Sequence, residues 1–273
     1  IGLLLPHDCD FSAALLPALA KTLQQAGFTL ALSYVDLHPS RLLAQAGTLL
    51  AQDICGMLVC GRLLNDNPDV LQALSSRADA RHIALTGISA HHHPGPVAAV
   101  HPDNALAAHQ ATDALLKQQH KHIAYLGGEN HSLVRAERLG GLSVALGKAG
   151  VAFSPSLSLP CAATFADASR AAEQLLKQHP KISAILCDNP TVLQAAHHTL
   201  LSGTQAHRWR LFSRRIALTG FGECESSLKL QLPVIAARHR TLARRVLECL
   251  QHQLDGNTLL PGDPRLTVPA VFL

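Results

Sequence analysis

The stretch RAERLGGL over 135–142 sets Arg135 and Arg138 in the opening turns of a helix, just beyond a strand that ends in Gly127 and Gly128. Cations at that end of a helix oppose the macrodipole, so surface stability alone would not select them. A guanidinium fork suits a bidentate contact to an anion or to vicinal hydroxyls; a pair of solvated arginines is the plainer alternative. The LGGEN turn at 126–130 also has two readings, backbone amides that hold an anion or a glycine pair that lets the chain leave a strand. GFGE at 220–223 holds a GxG without a third glycine or a helix-opening context, and reads as a strand-end turn rather than a dinucleotide site. His91, His92 and His93 are consecutive, so their side chains do not converge on one metal ion; followed by Pro94, Gly95 and Pro96, they read as an exposed loop. Cys187, at a strand end, reads as a small buried hydrophobe rather than a nucleophile. The chain has no GxSxG, HExxH, Walker A or CxxC motif, so no catalytic residue, metal or cofactor is expected.

The elements that must position these residues follow from hydrophobic periodicity. Apolar runs at 1–5, 28–35, 54–61, 82–88 and 97–101 predict strands, separated by helical spacing over 11–26, 39–52, 68–76 and 104–119. The cycle restarts with strands at 122–128, 156–160, 182–187 and 215–221, interleaved with helices at 133–149, 166–178 and 191–201. A last helix over 241–254 precedes a proline-rich closing segment. Strands that are apolar on both faces and alternate with amphipathic helices predict two α/β units, each with a parallel sheet covered on both sides. The basic segment 202–215 is longer than the usual helix-to-strand connection and is either a surface loop or an interaction element.

Composition narrows the class. With 48% hydrophobic and 15% charged residues, the 273-residue chain can bury a core large enough to offset its ordering entropy, which excludes disorder. The 23 basic and 19 acidic residues form no block of like charge, so these residues do not argue for nucleic-acid binding. Seven dispersed cysteines, an odd number without a CxxC, fit reduced thiols in the cytoplasm, and no apolar run is long enough to cross a membrane. The sequence opens on Ile1 rather than Met, which implies that a signal peptide, a tag or a domain preceded it.

The order of the segments IGLLLPHDCDFSAAL, HPDNALAAHQATDALL, HKHIAYLGG, SLVRAERLGGLSVAL, ISAILCDN, IALTGF, LPVIAARH and LLPGDPRLTVP resembles the effector-binding core of the LacI/GalR transcription repressors, which are built like periplasmic sugar-binding proteins. SLVRAERLGG and HPDN are most similar to the maltose-regulon branch. The resemblance implies two doubly wound parallel-sheet lobes of the type I periplasmic-binding-protein kind, joined by three crossovers near 119, 239 and 261, with ligand in the cleft at the strands' carboxyl ends. The lobes would be 1–118 with 240–261, and 119–239 with 262–273. It also implies a helix-turn-helix domain of about 60 residues ahead of Ile1, a homodimer, operator DNA as partner and a small sugar-like effector.

Carried over position by position, Arg138 matches the family's ligand-clamping arginine, Asp103 its cleft acid and Asn189 its cleft asparagine. Phe11 falls where an aromatic packs on the ligand's apolar face, with Asp10 beside it. Ser132 and Asp188 neighbour the same cleft. Each also has a plain role: a solvated arginine, helix N-caps, a core phenylalanine. Two departures stand out. Asn189 is followed by Pro190, and the family's Gly-Phe-Asp-Asp becomes Gly220, Phe221, Gly222, Glu223, leaving Glu223 as the substitute carboxylate. The resemblance thus implies a non-enzymatic sensor whose ligand modulates operator binding; a transporter's periplasmic binding protein and, further off, an α/β enzyme are the alternatives.

Overall fold

Predominantly apolar runs become the central strands and amphipathic runs become helices that cover them. The computed structural model describes residues 1–6, 15–35, 38–61, 63, 68–89, 95, 97–202, 216–222, 224, 227, 229–260 and 262–273. The first part of the chain forms β1 (Gly2–Pro6), α1 (Leu15–Gln25), β2 (Ala31–Val35), α2 (Pro39–Leu50), β3 (Gly56–Cys60), α3 (Pro68–Asp79), β4 (Ala84–Ile88) and β5 (Ala99–Pro102). It continues with α4 (Asn104–Lys117), β6 (Ile123–Leu126), α5 (Leu133–Lys148), β7 (Ser158–Leu159), α6 (Phe165–Gln178), β8 (Ala184–Cys187), α7 (Pro190–Ser202) and β9 (Ala217–Phe221). The last part forms β10 (Val234–Ala236), α8 (His239–Leu254), β11 (Thr267–Val268) and β12 (Val271–Phe272).

These elements divide into two compact units, Ile1–Pro102 with Ala237–Val268, and Asp103–Ala236 with Pro269–Leu273. The first unit's sheet runs β2-β1-β3-β4-β5-β11, every pair parallel. The second runs β7-β6-β8-β9-β10-β12, parallel except for the antiparallel edge β10/β12. In both, the first strand has its sequence successor on one side and a later strand on the other, which places a topological switch point at β1/β3 and at β6/β8.

Each sheet is covered on both faces, as buried central strands demand. In the first unit, α1 and α8 contribute Leu19, Leu23, Val246 and Leu250 to one face, and α2 and α3 contribute Leu42, Leu49, Leu71 and Leu74 to the other. In the second, α6 and α7 supply Leu175, Leu176, Val192 and Leu193 on one side; α4 and α5 supply Ala107, Ala111, Leu142 and Leu146 on the other.

The unit boundaries differ from those expected. Helix α4, assigned from sequence to the first lobe, packs in the second, and 262–268, assigned to the second, packs in the first. The physical reason is the α4/α5 contact. A Cβ at Gly141 would sit 2.0 Å from the Ala105 carbonyl oxygen, so only glycine lets α5 approach the backbone of α4 this closely. The 202–215 segment and the His91–His93 run lie outside the described residues, save for Ser202 at the end of α7.

Candidate functional site

The strands of the second unit's switch point end side by side, Leu126 of β6 against Cys187 of β8, and Cys187 against Gly220 of β9. Past β6, Gly127 and Gly128 adopt φ of +102° and +68°, a region that suits glycine. A Cβ on Gly127 would lie 2.9 Å from Asp188 Cβ, and one on Gly128 would lie 3.1 Å from Asp188 Oδ1. The glycine pair therefore makes room for the Asp188 carboxylate as well as turning the chain.

Three helices start around this point. Ser132 caps α5 by accepting a hydrogen bond from the Arg135 N–H at 3.3 Å. Asn189 caps α7, its Oδ1 accepting from the Val192 N–H at 3.0 Å, and Asp103 caps α4 by accepting from the Leu106 N–H at 2.9 Å. These caps fix where each helix begins and hence where the arginines of α5 point.

Arg135 is buried. Its Nη1 donates to the Gly127 carbonyl, its Nη2 donates to Ser158 Oγ at 2.5 Å, and its guanidinium lies 5.2 Å from the centroid of the Tyr125 ring. Burial lowers its pKa from the ordinary arginine value, partly offset by Tyr125 and Asp188. Arg138 is only 14% exposed and does something different. Its Nε donates to Asn104 Oδ1 at 3.1 Å, its Nη1 donates to the Asp188 carbonyl and to Asp188 Oδ1, and its plane stacks 4.1 Å from the Phe221 ring centroid. Arg138 Nη2 makes no hydrogen bond to any described residue.

Asp188 ties the two arginines together. The Tyr125 hydroxyl donates to its Oδ1, while Oδ2 accepts only from Asn189 Nδ2, at 3.5 Å. Burial pushes the Tyr125 hydroxyl well above the ordinary tyrosine pKa, and the Asp188 charge adds to that. Asn104 Nδ2 donates to Glu137 Oε2 at 2.7 Å, so the network runs from α4 through α5 to the ends of β6 and β8. Burial also raises the thiols of Cys161, to about 11, and of Cys187, which keeps both protonated at neutral pH.

Of the residues singled out from sequence, Arg138, Asp188 and Asn189 come together, with Ser132 and Asp103 as caps at helix starts. Asp10, Phe11 and Glu223 lie outside the described residues. The two departures from the family pattern meet, because a Cβ on Gly222, at φ +84°, would stand 3.3 Å from the Pro190 ring. Sequence reasoning missed Asn104, Tyr125, Glu137 and Phe221 as members of the network. A lone tyrosine in the apolar run HIAYLGG was the one visible signal among them. Among the described residues no group of three or more His, Cys, Asp or Glu side chains could hold a metal ion, and no helix is long and apolar enough to cross a membrane.

Residues 1–256 match the family described as periplasmic binding proteins and sugar binding domain of LacI family. The chain is 29% identical over 264 residues to the maltose regulon regulatory protein MalI of Escherichia coli strain K12, covering 93% of this chain and 76% of that protein. Its fold is similar to that of the transcriptional regulator CelR in a cellobiose complex, at 21% identity and a TM-score of 0.74 over 100% of this chain and 82% of that one. It is similar also to a LacI transcriptional regulator from a Rhodococcus species, at 18% identity and a TM-score of 0.77 over 100% of this chain and 96% of that one. The chain belongs to this family of periplasmic binding proteins and LacI-type sugar-binding domains, as an effector-binding core of the LacI kind.

Proposed function

We propose that the chain senses a neutral, polyhydroxylated small molecule, a sugar or sugar derivative, on behalf of a DNA-binding transcription regulator. The observation that carries this reading is the open side of Arg138. Its Nε and Nη1 are engaged by Asn104 and Asp188, while its Nη2 remains as donor and Asp188 Oδ2 as acceptor, on groups already in contact. A hydroxyl donates and accepts at once, so it matches that pair. Asp188 and Glu137 balance Arg135 and Arg138, and Asp10, Asp103 and Glu223 add negative charge to the proposed site, so nothing there draws in an anion. The apolar face of Phe221, behind Arg138, suits a sugar ring's C–H face. Asp10, Phe11, Asp103, Ser132, Asn189 and Glu223 belong to the same proposed site.

The reading contains no catalytic step: the effector acts by binding two arrangements of the protein unequally, and couplings of about 1–3 kcal/mol are usual for such devices. Operator DNA is bound through a helix-turn-helix domain ahead of Ile1, in a cytoplasmic homodimer. The exposed edge strand β2, with Leu32 and Tyr34 turned outward at 45% and 54% exposure, supports the dimer.

Thermal unfolding in the presence of mono- and disaccharides, sugar phosphates and nucleobases tests the proposal. One neutral sugar class is expected to stabilise saturably, by about 2.7 kcal/mol at a hundredfold excess over Kd. Arg138→Lys, which keeps the charge and loses the fork, is expected to abolish the effect. Stabilisation by sugar phosphates alone, or a shift that survives Arg138→Lys, overturns it.

A further inference from the structure

The first unit carries a cavity of about 590 Å³ between α1 and α8, within the size range of small-molecule sites. Its floor is Ala18, Thr22 and Leu247; its walls are the exposed cations Lys21 from α1 and Arg240 and Arg244 from α8. No carboxylate lines it. Helix α1 has no acidic residue at all, and the one carboxylate of α8, Glu248, is shared between Arg244 at 3.6 Å and Arg245 at 3.3 Å, so it balances Arg244 only in part. Lys21 and Arg240 make no hydrogen bond or ion pair to any described residue.

Two costs coincide in this groove. Like charges from two helices face the same space, and α8 opens with cations and no acid in its first turn, against its own macrodipole. Neither arrangement gains anything from folding alone, and an anion seated in the cavity relieves both. A single exposed charge would be screened and contribute little, but three cations from two helices lining one space add their fields there.

We infer that the α1/α8 groove binds a small, multiply charged anion of the organic di- or polyphosphate class, bridged between Lys21, Arg240 and Arg244. This site lies in the first unit and takes a charged ligand, so it is independent of the neutral effector proposed for the second.

The test is a calorimetric titration of the full chain with pyrophosphate, at constant ionic strength set with sodium chloride. One saturable site is expected. Its Kd should rise at least about tenfold in each of Lys21→Gln and Arg240→Gln, the loss of one charge-assisted contact. Both residues are exposed, so circular dichroism should show each variant folded. Arg138→Lys should leave pyrophosphate binding unchanged, which separates this site from the effector site. Heat that does not saturate, affinity that survives both substitutions, or binding of poly-glutamate that pyrophosphate does not displace overturns the assignment.

Discussion

Asp188 accepts the Tyr125 hydroxyl and the Arg138 guanidinium on one carboxylate, so a change there strands two partners at once. Asp188→Ala is expected to destabilise by about 3 kcal/mol in urea unfolding, because it leaves the largely buried Arg138 cation without its counter-charge. Tyr125→Phe removes one hydrogen bond and is expected to cost about 1 kcal/mol. The two variants should also differ with pH. Folding raises the Tyr125 pKa, so the neutral hydroxyl's contribution is complete below the unfolded value of about 10 and is lost as pH rises through the folded value. Wild-type stability should therefore fall above pH 10 more steeply than that of Tyr125→Phe, which denaturation at stepped alkaline pH would measure. The arginine pair was legible in the sequence because cations at a helix start are electrostatically odd, and the family resemblance then singled out Arg138. Its partners were not, since Asn104 lies 34 residues away and Asp188 lies 50, and nothing local encodes such a pairing.

Helices α4 and α5 meet at a glycine, and the neighbouring glycine provides the control. Gly141→Ala would drive a Cβ into the Ala105 carbonyl at 2.0 Å, and backbone cannot give way as a side-chain end can. A loss of about 3 kcal/mol or more is expected, together with weakened sugar response, because Asn104 on α4 aligns both Arg138 and Glu137 on α5. Gly140→Ala meets nothing within 4 Å and should stabilise the helix by up to about 1 kcal/mol. Thermal melts of the pair would separate packing from propensity. At this scale the sequence was informative about kind and poor about company. The largely apolar runs of β3 and β4 announced buried parallel strands, and both are buried throughout. A helix stripe such as Ala107, Ala111 and Leu115 shows that a face is covered without naming the sheet it covers, which is why α4 was assigned to the wrong side of the boundary.

On the scale of the whole molecule, the outward Leu32 and Tyr34 of β2 give the proposed dimer a definite prediction. Leu32→Lys should convert a dimer to a monomer in light scattering while leaving the fold intact, since this position is 45% exposed. The chain crosses between its units after Pro102, Ala236 and Val268, so neither unit is a continuous stretch. Synthesis from the N-terminus meets them unequally. When residue 236 has emerged, the second unit lacks only its closing segment with the two-residue edge β12, whereas the first still awaits α8 and β11. At ribosomal rates of about 5–20 residues per second that wait lasts about 2–6 s. During it Leu19, Leu23 and the sheet face beneath them have no α8 to cover them. The later-begun half of the molecule is thus nearly complete while the earlier half still lacks a helix, and that earlier half is the one that a growing chain leaves open to chaperones and aggregation.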